Sequence, residues 1–357
     1  MPTLLDPIKV GSLDLPNRII MSPMTRVRAV DRMPNDLMRE YYVQRASAGL
    51  IITEGVSVAP QGVGYPRTPG IWSTEQIAAW RVITDAVHNA GGRIFAQTWH
   101  VGRMSDPEHL GGQLPVSASS IAPDGHVALL RPERPYVAPR ALETWEVPQI
   151  AQQFRVGAEN AMAAGFDGVH LHCANGYILD CFLYDGTNKR GDEYGGTIEK
   201  RARVMLDAID ASISVWGSDR VGIQIGPRLD VASVSDSDPL GTFSYLMKRI
   251  SERNLALVVA RESLTGGSRL GPELRKLFTG TYVANEGFTP ETGNEVLARG
   301  EADAVAFGNL FIANPDLPAR IAIGGPLNAT NPETLYASAA EGYTDYQALT
   351  DAAIAAE

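Results

Sequence analysis

The stretch Gly168-Val169-His170-Leu171-His172-Cys173-Ala174-Asn175-Gly176-Tyr177 passes from an apolar run straight into a cluster of hydrogen-bonding side chains. A short β-rich segment such as 166–171 predicts a strand buried on both faces, and such strands belong to parallel sheets whose carboxyl ends carry chemistry. His172 and Asn175 stand three residues apart, so in the first turn after the strand both side chains can point at one spot and donate hydrogen bonds to one oxygen. Tyr177 adds a phenol able to give up a proton. Taken singly, each has an ordinary structural use: histidines at strand ends are often fixed hydrogen-bonders, and Asn-Gly is a turn signal. Their company is what points to a reacting centre. His170 alternates with His172 across the pleat, with Leu171 between them and no third ligand in evidence, so no metal site is expected.

Elements able to position this cluster recur along the chain. Apolar strand segments fall at 18–21, 50–54, 94–99, 168–172, 221–225, 256–260, 281–284 and 304–307. Helix-period segments lie between them at 74–89, 147–164, 199–215, 243–253, 290–299 and 314–323. This alternation is the pattern of βα units around a parallel sheet, and eight strands predict one α/β domain over 1–357, a single (β/α)8 TIM barrel. Ser73 or Thr74, with Gln76 close behind, predicts the N-cap of the helix at 74. Residues 8–15 alternate around Gly11-Ser12 as a hairpin would, so 1–17 forms an N-terminal cap on the amino mouth. The irregular segment 102–145 follows the third strand and is expected to form a lid or loop subdomain over the site. Residues 345–357 read as a C-terminal tail.

Composition narrows the classes further. Hydrophobic residues at 44% and charged ones at 20% describe an ordinary globular core. A net charge of −10 without any basic run argues against a nucleic-acid partner. No apolar run approaches the roughly 18 residues of a spanning helix, and no charged leader precedes an apolar core, so no membrane partner is expected. Cys173 and Cys181 lack CxxC spacing, which fits a reducing compartment and a cytoplasmic location.

Seven motifs then fall in one order: Pro23-Met24-Thr25-Arg26; Tyr41-Tyr42 with 44–51; Gln97 with Trp99-His100 and Gly102-Arg103; His172 with Asn175-Gly176-Tyr177; 192–196; 313–317; and 341–346. In these the chain resembles the old yellow enzyme family of FMN-dependent ene-reductases over nearly its whole length. The resemblance implies FMN across the carboxyl mouth, reduced by NAD(P)H and passing hydride from N5 to the β-carbon of an activated alkene such as an enone, enal or nitroalkene. It assigns His172 and Asn175 to the carbonyl or nitro oxygen, and Tyr177 to protonation of the α-carbon. It assigns Pro23, Met24, Thr25, Gly55, Gln97, Gln224, Asn285, Gly287, Gly308 and Asn309 to the cofactor, and Tyr65, Trp99 and Tyr343 to the substrate pocket. The partner it implies is a small molecule, with monomer and homodimer both open.

Two positions depart from the family pattern. Gln224 stands where the family carries an Arg facing flavin N1 and O2, and Asn309 stands where an Arg grips the phosphate. Glu286 brings a carboxylate near the phosphate position, Lys200 replaces an Asn, and Arg228 is the one nearby cation that could compensate. Losing fixed positive charge weakens the hold on an anionic cofactor. Two readings follow: an ene-reductase that binds FMN more weakly, or a flavin-deficient relative using His172, Asn175 and Tyr177 for cofactor-independent isomerase or lyase chemistry, or for ligand binding alone. The first is preferred, because most matching motifs serve flavin and substrate jointly.

Overall fold

Eight strands close on themselves in the computed structural model, which describes residues 1–229, 231 and 233–349. They are β1 (Ile19–Met21), β2 (Leu50–Ser57), β3 (Ile94–Trp99), β4 (Gly168–Cys173), β5 (Val221–Ile225), β6 (Leu257–Arg261), β7 (Thr281–Asn285) and β8 (Ala304–Phe307). Each pairs in parallel with the next, and β8 returns to β1, giving the expected TIM barrel.

The strands are apolar almost throughout because both faces are buried. One face fills the barrel with Ile20, Ile52, Phe95, Leu257, Val259 and Val283. The other packs under the helices, as with Val169, Leu171 and Cys173 of β4 and Val221, Ile223 and Ile225 of β5. With a period of two, β4 must therefore send Gly168, His170 and His172 inward, and β5 sends Gly222 and Gln224. Register sets Gln97 beside His170 and His172 beside Gln224, so polar residues stack in the layers nearest the carboxyl mouth.

The amino mouth is closed by the expected hairpin, Ile8–Val10 antiparallel to Leu13–Leu15, whose Val10, Leu13 and Leu15 complete the interior cluster. Gly11 makes its turn at φ 56°, and a Cβ there would lie 1.9 Å from the Asp219 carbonyl oxygen. Helix Thr74–Asn89 begins with the Ser73/Gln76 capping box. Helices Val147–Ala163, Ile198–Trp216, Pro239–Ser251 and Pro290–Ala298 match the remaining expectations closely. The helix expected at 314–323 is shorter, Leu317–Ala322, and an unexpected short helix, Asn309–Ala313, precedes it. Pro315 lies in the break, where it cannot donate the next backbone hydrogen bond. Asp36–Val43, Ile178–Leu183 and Gly271–Arg275 are helices the sequence reading missed.

Segment 102–145 contains a 3-10 turn, Pro107–Leu110, and the strand Val116–Ser117, which pairs in parallel with Arg140–Ala141. Of the expected tail 345–357, residues 350–357 lie outside the described residues. Among the described residues no helix is long and apolar enough to cross a membrane.

Candidate active site

A cavity of about 750 Å³ opens at the carboxyl mouth. Its first wall is the end of β4 and the turn that follows. Asn175 adopts a left-handed backbone, φ 64°, which Asn tolerates better than most side chains. This brings its Nδ2 to 3.3 Å from Nε2 of His172. Two nitrogens this close bracket one position at which an acceptor oxygen can meet both. The Gly176 amide donates to Oδ2 of Asp180 at 2.8 Å, pinning the turn from behind, and burial lifts that carboxyl to about 8.

Tyr177 follows, its ring 4.6 Å from the His172 ring and its hydroxyl 2.8 Å from that of Tyr65. Tyr65 stacks on Trp99 at 5.4 Å, and Tyr177 meets Trp99 edge-on at the same distance. Burial is the main force on these groups. It pushes His172 down to about 3, with the His170 and Arg261 charges adding to the effect, so the imidazole is neutral at ordinary pH and has one N–H to give. For that N–H to reach the bracketed oxygen it must sit on Nε2; Nδ1 is buried with no hydrogen-bond partner. Burial likewise raises the Tyr177 phenol, which therefore holds its proton throughout the neutral range.

Deeper in the barrel, Gln97 Nε2 donates to Gln224 Oε1 at 2.7 Å and lies 3.4 Å from His170 Nδ1. The opposite wall comes from the first, seventh and eighth strands: Pro23, Met24 and Thr25 after β1, Asn285 and Gly287 at β7, and Gly308 and Asn309 after β8. Asn285 Nδ2 is held by the Ala306 carbonyl at 2.8 Å. Gly308 is packed so tightly that a Cβ would come 2.9 Å from Met24 Sδ.

Two expected residues do not reach the cavity. Gly55 lies behind Trp99, where a Cβ would fall 2.3 Å from the indole Cδ2; its part is to let that ring lie against β2. Tyr343 is fully buried and stacks on Tyr41 at 4.0 Å, with the Arg26 and Arg28 guanidinium groups 5.1 and 4.7 Å from its ring. Arg26 and Arg28 also donate to the Gly342 and Thr334 carbonyls, at 2.6 and 2.9 Å. The aromatic this strapped segment gives to the cavity is Tyr336. Arg228 offers no compensation, because its guanidinium is spent on Glu262 at 2.8 Å and on the Gly266 and Ser263 carbonyls.

Sequence reasoning also missed Ala128 and Leu129, which descend from the 102–145 segment, and Arg261 at the end of β6. The signal for Arg261 was present. Leu257 and Val259 point inward, so one more residue of strand sends Arg261 to the same face at the mouth, whereas a strand ended at 260 leaves it in a loop. Its Nη1 donates to Asn175 Oδ1 at 2.8 Å, and its Nη2 lies 3.3 Å from Glu286 Oε1. Among the described residues lining the cavity it is the only Lys or Arg.

Comparison with known proteins agrees with this architecture along the chain. Residues 3–328 match the model of the NADH:flavin oxidoreductase / NADH oxidase family. A putative 12-oxophytodienoate reductase 4 of Oryza sativa subsp. japonica is 43% identical, the alignment covering 97% of this chain and 93% of the relative. The 12-oxophytodienoate reductase 2 of Arabidopsis thaliana is 39% identical over 97% of this chain and 96% of its own. Among solved structures, the old yellow enzyme homologue from Zymomonas mobilis superposes with a TM-score of 0.95 at 42% identity, covering 98% of this chain and 100% of the other. Morphinone reductase in complex with tetrahydroNAD does so with 0.95 at 42%, covering 99% of each. With its barrel, its mouth cavity and this likeness, the chain belongs to the NADH:flavin oxidoreductase / NADH oxidase family, that of old yellow enzyme, and is an oxidoreductase acting on C=C bonds with FMN and NAD(P)H as cofactors.

Proposed function

We propose that the protein reduces activated alkenes, enones, enals and nitroalkenes among them, at the cavity above β4. The observation that carries this reading is the 3.3 Å pair of Asn175 Nδ2 and His172 Nε2 beside the Tyr177 phenol. Two neutral donors on one oxygen draw electron density from a conjugated double bond and stabilise the enolate-like charge that develops there. Tyr177 then supplies a proton to the α-carbon. Its raised pKa makes it a weak acid toward water, yet an adequate one toward a carbanion, and keeps it loaded at working pH.

The residues present fit FMN as a ligand. The Gln97 and Gln224 amides can read a polar heterocyclic edge, Thr25 offers a hydroxyl, and Gly287 and Gly308 leave room for a chain bearing phosphate. Bound there, FMN would supply hydride received from NAD(P)H. The phosphate end is the weakly held one, since among the described residues lining the cavity the one Lys or Arg is Arg261, and it is engaged by Asn175 and Glu286. The Glu286 carboxylate in the cavity wall favours a second reading, proton chemistry without flavin on the same oxygen site. A cytoplasmic setting belongs to the proposal, supported by the unpaired, buried thiols of Cys173 and Cys181.

One experiment separates the two readings. Purified protein titrated with FMN should develop a bound flavin band that bleaches with NADPH and recovers on adding 2-cyclohexenone. Protein that leaves FMN free in solution at every concentration sinks the reductase reading.

A further inference from the structure

We propose that Arg261 is a positioning residue for the oxygen site: it fixes the Asn175 carboxamide in its donating orientation and sets a positive charge behind the oxygen that gathers electron density. This rests on the reading of His172 and Asn175 as the pair that binds that oxygen.

A carboxamide has one accepting and one donating end, and the two differ little in shape. What decides which end faces the ligand is what holds the other. Here Arg261 Nη1 donates to Asn175 Oδ1 at 2.8 Å, so Oδ1 is taken and Nδ2 is turned toward His172 and the cavity. Without this contact the amide can turn over and set Oδ1 against the ligand oxygen, a repulsive pairing. The guanidinium is itself fixed at both ends. Its stem rises from the inward face of β6, and Nη2 lies 3.3 Å from Glu286 Oε1, presented by the β7 loop at φ 87°.

The ion pair is about one-third exposed on each side, so its charges are only partly cancelled and partly screened. The arginine charge still bears on its neighbours, adding to the depression of His172 and pulling Tyr177 down against the effect of burial. The groups facing it are Asn175, His172 and Tyr177 from the β4 end and Glu286 from the β7 loop. Losing the guanidinium therefore removes both an orienting contact and a charge, and variants can divide the two.

The test uses 2-fluoro-4-nitrophenol, whose phenolate oxygen stands for the enolate oxygen and whose fluorine resonance reports its ionisation whatever pigment the protein holds. Bound to the wild-type protein, the probe should ionise at lower pH than when free. Arg261→Met should raise that pH by about one unit. It should also slow enone reduction about tenfold through kcat, with KM little changed. Arg261→Lys, keeping a charge and a donor, should restore most of both effects, whereas Arg261→Gln, keeping a donor alone, should restore the rate in part and the ionisation hardly at all. If the methionine variant does not fold, the lysine and glutamine variants carry the comparison. Identical probe ionisation in wild type and the charge-lacking variants, with His172→Ala still abolishing binding, overturns the role of Arg261 and leaves the oxygen site standing. A probe that fails to bind wild type, or binds equally well without His172, overturns the oxygen site and this proposal with it.

Discussion

Tyr177→Phe removes one oxygen and leaves the rest of the ring in place, so its consequences can be worked through. The Tyr177 hydroxyl meets that of Tyr65 at 2.8 Å, while the ring is fixed edge-on by Trp99 and His172. Phenylalanine keeps those ring contacts. The lost hydrogen bond costs about 1 kcal/mol, since Tyr65 is partly exposed and water can replace its partner. The chemical effect is larger, because a positioned general acid contributes roughly 100- to 10,000-fold. Stopped-flow measurement under anaerobic conditions separates the two halves of the cycle: bleaching of the flavin by NADPH, and its recovery on adding an enone. The first should be nearly unchanged and the second should fall at least about a hundredfold. Tyr65→Phe, which leaves the acid but removes its hydroxyl neighbour, should fall between wild type and Tyr177→Phe. Equal losses in both half-reactions, or an alkene step within a few-fold of wild type, would refute the assignment of Tyr177 as the proton donor.

Other consequences are open to direct measurement. Gln224→Arg and Asn309→Arg should each tighten FMN about tenfold or more, a charge-assisted hydrogen bond being worth roughly 1.5–3 kcal/mol; fluorescence titration giving unchanged affinity for both would contradict the account of the weakly held cofactor. Gly55→Ala should destabilise the protein by about 1–3 kcal/mol through the clash with Trp99, and a melting temperature equal to wild type would show that the indole has room to move. Stability should also fall as the pH rises from 6.5 to 8.5. Burial raises Glu54 to about 7 and Asp180 to about 8, so both hold protons more tightly folded than unfolded, and unfolding releases them. Their contribution is complete below the unfolded carboxyl range and is lost through pH 7 and 8, on the order of 3 kcal/mol in denaturant titrations, with Asp180→Asn removing the larger share. Below pH 6.5 the slope changes as His100, pressed by burial to about 4, and His170 and His172, to about 3, oppose the carboxyls by favouring proton uptake on unfolding.

How much of this was legible beforehand depended on how local the cause was. The eight strands follow from runs of apolar residues between turn signals, and three, β3, β5 and β8, have the bounds expected from those runs. His172, Asn175 and Tyr177 were found because a strand end and the turn after it lie within a few residues of one another. Tyr343 was misplaced and Tyr336 overlooked because their segment has little regular structure of its own. It is tied to the barrel by the side chains of Arg26, Arg28 and Arg45, some 300 residues earlier, and no periodicity in the segment tells which tyrosine turns toward the mouth.

By itself, then, the chain's pattern of apolar runs and polar strand ends determined a barrel, its amino-terminal plug and the strand whose end brings His172, Asn175 and Tyr177 to the cavity, since burial on two faces and a period of two are local constraints. Closure of the barrel decided the rest. It brought Arg261 to Asn175 and Glu286 to Arg261 from different strand ends, paired Gln97 with Gln224 across the interior, and set Gly55 beneath Trp99 rather than in the cavity. Those contacts depend on which strand ends meet around the mouth, and this is fixed only when β8 pairs with β1.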